Sequence, residues 1–174
     1  MADGRSYPAI GDYAIIGDCR SAALVARDGS LDWLCLPRFD SPSLFASLLD
    51  RDRGGCFAVR PTAPFTSVRR YLEGTNVLET TFTTAQGRLR LVDLMPVASE
   101  EDKRTELASE HEVLRAIEGI EGDVEVEVLC DPRPQYGSAM PRLHDRGRLG
   151  ICYEQGAEAV LVRSEIPLGV SGTE

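Results

Sequence analysis

Polar and apolar residues alternate with a period of two along most of this chain, in short runs bounded by Gly, Pro, Asp and Asn. That is the period of an extended backbone, whose successive side chains point to opposite faces. Residues 13–18 make one such run. Residues 22–27 and 31–36 pair naturally across Asp28-Gly29, where a positive φ costs glycine little, and so predict a β-hairpin. Further on, "GGCFAVRP", "FTSVRRYLE", "NVLETTFTT" and "RLRLVDLMP" follow one another at the spacing of a meander, with Gln86-Gly87 as a second tight turn. In "GDVEVEVLCD", Val124, Val126 and Val128 take one face while Glu125 and Glu127 take the other, so this strand has one wet side. With "HEVLRAIEG", "LGICYE" and "AVLVRSE", the pattern amounts to about ten strands.

Two stretches read otherwise. Ser41 suits an N-cap with Pro42 at the first helical position, and Leu44, Phe45, Leu48 and Leu49 then fall on one stripe, which predicts a short helix near residues 42–50 lying on the sheet. The polar run 98–110, "ASEEDKRTELASE", has no apolar periodicity and reads as a solvated loop or a frayed helical turn. So many strands with one helix need two packed layers, because a single open sheet leaves an apolar face in water. The expected fold is an all-β, antiparallel two-sheet β-sandwich, one domain over residues 1–174. The closing "EIPLGVSGTE" follows an apolar strand with no closing element, as in a piece of a longer chain, so the domain is expected to be cut short at this end.

Composition narrows the partners. A chain of 174 residues that is 43% apolar can build a core, and 19 Lys plus Arg against 28 Asp plus Glu leave a net charge of −9. Such a surface repels phosphate backbones, which argues against nucleic acid and anionic membranes as partners. The first residues carry neither a basic nor an apolar leader segment, and no apolar run approaches the roughly 20 residues that span a bilayer, so a soluble cytoplasmic protein is expected. The five cysteines (Cys19, Cys35, Cys56, Cys130, Cys152) are odd in number and scattered without a CxxC or Cys/His cluster. They read as reduced thiols filling apolar positions, with no structural zinc and no cofactor site.

Candidate chemistry is sparse. His111 and His144 sit far apart and away from any nucleophile-like turn, and there is no GxSxG, P-loop or GxGxxG motif. Asp32 stands out because simple alternation sets Leu31, Trp33 and Cys35 on one face and Asp32 with Leu34 and Leu36 on the other, placing a carboxylate in or beside an apolar layer. A buried carboxylate needs hydrogen-bond donors. Either backbone N–H groups of the adjacent turn supply them, or Asp32 lies on a surface that another domain covers. The loop Pro37-Arg38-Phe39-Asp40 is restricted by Pro37 and Pro42 on its flanks, so Arg38 and Asp40 lose little further entropy on meeting a partner. An internal pair of Arg38 with Asp40 or Asp32 would brace the loop; the alternative is a loop that buttresses a polar site.

The run from Tyr7 to Asp50, "YPAIGDYAIIGDCRSAALVARDGSLDWLCLPRFDSPSLFASLLD", resembles the opening of the bacterial family 15 glycoside hydrolases, the glucoamylase, glucodextranase and trehalase-like enzymes. A looser likeness continues through "RRYLEGTNVLETTF", "LRLVDLMP" and "VLRAIEGIEGDVEVEVLCDPRPQYG". The resemblance implies an amino-terminal, supersandwich-like β-domain preceding a six-hairpin helical barrel. That barrel hydrolyses α-glucosidic bonds with inversion, using two glutamates roughly 6.5–9.5 Å apart. No segment here resembles the barrel motifs, so this chain is expected to hold no catalytic residue. Where relatives tend to have an aromatic and an acidic residue before Tyr-Gly, this chain has Pro134-Gln135, while Arg133 and Tyr136 remain.

The expected function is therefore that of an accessory domain packing against its own catalytic barrel, with an α-glucoside as substrate of the whole enzyme. Asp32, Trp33, Arg38, Asp40, Arg133 and Tyr136 are the candidates for the domain interface or substrate mouth. The alternative is a free-standing carbohydrate-binding or protein-interaction module, against which stands an aromatic content of only 6% with a single Trp. An apolar docking patch left bare predicts self-association of the lone domain.

Overall fold

The computed structural model describes residues 7–99, 101–105, 110–138, 140–156 and 158–170. Thirteen strands run through these residues. In chain order they are β1 (Ala14–Gly17), β2 (Ala22–Val25), β3 (Ser30–Cys35), β4 (Ser43–Phe45), β5 (Phe57–Pro61), β6 (Phe65–Tyr71) and β7 (Leu78–Thr84). They continue as β8 (Gly87–Leu94), β9 (Leu114–Gly122), β10 (Val126–Cys130), β11 (Arg142–Asp145), β12 (Ile151–Gln155) and β13 (Glu158–Val162). One sheet has the order β1-β2-β3-β5-β10 with β4 also on β3, a second runs β6-β7-β8-β9, and a third, smaller one runs β11-β12-β13. All pairings are antiparallel.

The first two sheets face each other as a β-sandwich. Their contact is made by alternate residues of each layer: Val59, Phe82, Leu89 and Leu91 form one buried cluster, with Val124, Val126 and Val128 packed against it. A second cluster joins Ile16, Ala23, Leu31, Leu34 and Phe45 of the first sheet to Leu78 and Met95. The valines of β10 thus face inward and their glutamate neighbours face water, as the alternation predicts. The β2–β3 hairpin turns at Gly29, whose φ of +82° and closeness to the Val59 carbonyl leave no room for a Cβ.

Three features differ from the sequence reading. The helix expected near residues 42–50 does not form. Ser43–Phe45 instead pairs with β3, Phe45 opposite Leu34 and Ser43 opposite Cys35, and the chain then turns through hydrogen bonds from the N–H groups of Leu49 and Asp50 to the Ala46 carbonyl. A short helix is marginal alone, and the available strand edge wins. The strand total rises because β4 and β11 were not anticipated, and the last three strands form a separate sheet. Residues 102–105 of the polar run make a single helical turn, in keeping with the reading of that run as a loop or a frayed turn, while residues 100 and 106–109 lie outside the described residues.

Candidate docking face

Strand β3 does not alternate simply. Its register with β2 shifts between Leu24 and Val25: Trp33 lies opposite Leu24, while Leu31 lies opposite Val25. Asp32 is the extra residue of this bulge, which returns Leu31 to the inner face beside Leu34 instead of setting the two on opposite faces. Asp32 is buried, and its carboxylate is satisfied by hydroxyls, not by backbone N–H groups of the turn. Ser30 Oγ and Ser47 Oγ donate to Oδ1 at 2.5 and 2.8 Å, and Tyr13 Oη donates to Oδ2 at 2.9 Å. Burial, together with the acceptor carboxylate, pushes the Tyr13 phenol well above its ordinary value. Asp32 thereby ties the segment before β1, strand β3 and the turn after β4 together beneath the surface.

Trp33, one residue on, points to the outer face of the first sheet. There it meets Tyr136, more than a hundred residues later in the chain, with ring centroids 6.2 Å apart and planes tilted by 46°. The turn 134–137 carries Tyr136 to this position. Gln135 (φ 54°, ψ 47°) and Tyr136 (φ 59°, ψ 34°) are both left-handed, a conformation that costs an L-residue roughly 1–2 kcal/mol. It is held by hydrogen bonds from Arg133 N to the Leu44 carbonyl, from Gly137 N to the Arg133 carbonyl and from Tyr136 N to Ser43 Oγ. Strand β4 is therefore what the turn rests on. Cross-strand pairing extends the aromatic pair sideways: Trp33 lies opposite Leu24 on β2, and Leu24 opposite Ile15 on β1. Tyr136 is 54% and Ile15 57% exposed, so the outer face carries an apolar row of Ile15, Leu24, Trp33 and Tyr136 across three strands.

The other candidates separate from this row. Arg133 Nε donates to both carboxylate oxygens of Asp131 at 2.9 and 3.0 Å, and its Nη1 donates to Met140 Sδ. Arg38 and Asp40 form a two-pronged ion pair, with Nε to Oδ1 at 2.8 Å and Nη2 to Oδ2 at 2.7 Å, both side chains 69% exposed. That hydrogen bonding holds the Asp40 carboxyl below its ordinary range. The pair and the exposed Phe39 border an open cavity of about 620 Å³ that the Cys19-Arg20 turn and His111 complete. The loop is anchored by Phe39 N donating to the Arg20 carbonyl at 2.9 Å.

Sequence reading overlooked the hydroxyl partners of Asp32 and the buried pair of Arg115 with Asp93. A signal for the latter existed: alternation in "RLRLVDLMP" sets Asp93 on the same face as Leu89 and Leu91, where a carboxylate must find a cation or donors. Among the described residues no group of three or more His, Cys, Asp or Glu side chains is placed to hold a metal ion, and no helix is long and apolar enough to cross a membrane.

Comparison with known proteins adds the context this face lacks. The model of the family described as "Trehalase-like, N-terminal" matches residues 2–165. The trehalase of Mycobacterium tuberculosis is 35% identical over 164 residues, covering 88% of this chain and 22% of the relative. That of Thermoplasma volcanium is 36% identical over 168 residues, covering 94% of this chain and 26% of the relative. That of Mycolicibacterium smegmatis is 36% identical over 144 residues, covering 75% and 21%. The chain thus spans about a quarter of the length of the curated relatives it matches. No solved structure matches it significantly.

Proposed function

Since the chain belongs to the trehalase-like N-terminal family, we propose that it is the accessory domain of an inverting α-glucosidic hydrolase and that its outer face docks onto a helical catalytic barrel. The relatives' names favour trehalose over other α-glucosides as the substrate of the whole enzyme. The observation that carries this reading is the Trp33–Tyr136 pair. A strained left-handed turn holds an exposed tyrosine on the chain's single tryptophan, within an apolar row that a monomeric domain would gain by covering. Strain of this kind persists where the surroundings over-determine it, and it clusters at binding surfaces. In this reading Arg133 and the Arg38–Asp40 loop form the polar rim, Asp32 braces the face from below, and bond cleavage is left to the barrel's two glutamates. Five free thiols accord with a reducing, cytoplasmic setting.

The test is a chimera in which this chain replaces the matching segment of the Mycolicibacterium smegmatis trehalase. Tyr136→Ala, and separately Arg38→Ala, should lower trehalose hydrolysis or loosen the domain contact. The isolated domain's melting temperature should barely change, because Tyr136 and the Arg38 pair are solvent-exposed. Unchanged activity together with a large loss of domain stability would make these residues internal braces only.

A further inference from the structure

Strand β1 closes one side of the first sheet, and among the described residues it pairs only with β2. An edge strand turns the N–H and C=O of every second residue away from its neighbour, and a bare row of such groups is a template for another strand. Here the row is occupied. Tyr71, the last residue of β6 in the second sheet, sets its hydroxyl against both backbone groups of Ile15: Ile15 N donates to Oη at 2.9 Å, and Oη donates to the Ile15 carbonyl at 2.8 Å. Two residues along the edge, Asn76 Nδ2 donates to the Gly17 carbonyl at 2.7 Å. One phenol thus stands where a residue of a pairing strand would stand.

The same contact continues along β6. Arg69 donates from Nη2 to the Asp12 carbonyl at 2.7 Å and from Nη1 to the Val25 carbonyl at 2.9 Å, and Ser67 Oγ donates to the Arg27 carbonyl at 2.8 Å. Ser67, Arg69 and Tyr71 alternate with Phe65 on the face of β6 that packs Phe65 against the core. A sandwich ordinarily fills such positions with apolar side chains. Polar ones stand here because their targets are backbone groups of the other sheet.

Strand geometry says what this contact keeps out. Antiparallel pairing of β1 with itself sets Ile15 of one copy opposite Gly17 of the other, matching residues whose backbone groups both point outward across a two-fold axis. Ile15 is 57% exposed and heads the apolar row that runs through Leu24 to Trp33 and Tyr136, so the same pairing joins the rows of two copies into one strip. A second copy therefore fits this edge both by hydrogen bonding and by apolar continuity. We propose that Tyr71 and Asn76, with Arg69 beside them, form an edge guard: an internal contact that holds the β1 edge shut against a second copy of this chain. The guard lies on the edge of the first sheet and does not depend on barrel docking.

The experiment compares the chain with its Tyr71→Phe, Asn76→Ala double variant by sedimentation and by amide hydrogen exchange, each over a wide range of concentration. Both side chains are exposed, so the variant should fold. In dilute solution the Ile15 N–H of the variant, stripped of its acceptor, should exchange about tenfold faster than that of the unsubstituted chain. As the concentration rises the variant should dimerise and its exchange at Ile15 and Gly17 should slow again, whereas the unsubstituted chain should show no concentration dependence at these two amides. A variant whose Ile15 exchange never slows would overturn the guard, and so would a dimer that leaves Ile15 exchanging fast, because association would then run through another surface. Equal slowing in the unsubstituted chain would also overturn it, since the edge would already be open. Should the double variant not fold, Tyr71→Phe alone frees both backbone groups of Ile15 and must show the same slowing; its absence there refutes the guard.

Discussion

Arg115 on β9 lies directly opposite Asp93 on β8 and forms an ion pair with it, both side chains out of solvent, 3% and 0% exposed. Its Nε donates to Asp93 Oδ1 at 2.8 Å, Nη2 donates to the Gly29 carbonyl at 2.7 Å, and Nη1 donates to the Phe57 carbonyl. The guanidinium also lies 4.8 Å from the centroid of the Phe57 ring. One side chain therefore pins both sandwich layers and the β2–β3 turn together. Removing one partner of a buried pair strands the other charge, so Arg115→Ala should destabilise the domain by roughly 3–5 kcal/mol in urea unfolding. The double variant Arg115→Met with Asp93→Leu should recover a large part of that loss. A loss below about 1 kcal/mol for the single variant would show that water reaches Asp93.

The Asp32 knot makes an ordered prediction. Asp32→Ala leaves three hydroxyls without their shared acceptor and should cost roughly 2–3 kcal/mol, while Tyr13→Phe removes one donor to a charged group and should cost about 1.5 kcal/mol. Urea midpoints of the two variants test the order. Equal or reversed losses would mean that the carboxylate draws its stabilisation from elsewhere.

Acid should act through Glu79. Its side chain is 7% exposed, Arg70 Nε donates to it at 2.8 Å and Arg90 lies 3.4 Å away. The Arg70 hydrogen bond, more than any other cause, holds the Glu79 carboxyl below its ordinary value. A folded value below the unfolded one means that this stabilisation is present at neutral pH and disappears as the pH falls through the folded value. Between neutral pH and about pH 3, Glu79→Gln should flatten the dependence of the urea midpoint on pH. An identical slope in wild type and variant would rule the residue out as a contributor.

The thiols should sort by burial. Burial raises the Cys35 and Cys56 thiols and pushes Cys130 up to about 12, while Cys19 sits exposed in a turn. Since the thiolate is the nucleophile, iodoacetamide near neutral pH should modify Cys19 in the folded protein and spare Cys35, Cys56 and Cys130 until urea is added. Mass spectrometry of the labelled peptides reads this directly, and early labelling of Cys130 would contradict its packing against the core.

Alternation sufficed for the strands with a clear wet side, such as β10, and for the hairpin at Asp28-Gly29, because both depend on local backbone chemistry. It misplaced residues 42–50. A serine cap and four spaced apolar residues describe a helix and a buried edge strand equally well, and only the neighbouring β3 edge decides between them. The bulge at Asp32 escaped for the same reason: a single extra residue leaves no mark in a hydropathy pattern, yet it reverses which side chains share a face.

The sequence by itself determined that this chain is an antiparallel β-protein of acidic surface, and it supplied the candidates Asp32, Trp33, Arg38, Asp40, Arg133 and Tyr136. Which of those meet was left to the tertiary structure. Trp33 and Tyr136 become neighbours only because β4 joins the first sheet and the turn at 134–137 rests on it, whereas Arg38 and Asp40 bind each other at a separate cavity. The physical reason is range. Strand propensity and turn chemistry act over a few residues, but a contact between residues a hundred positions apart is set by how whole layers pack, and no local pattern encodes that.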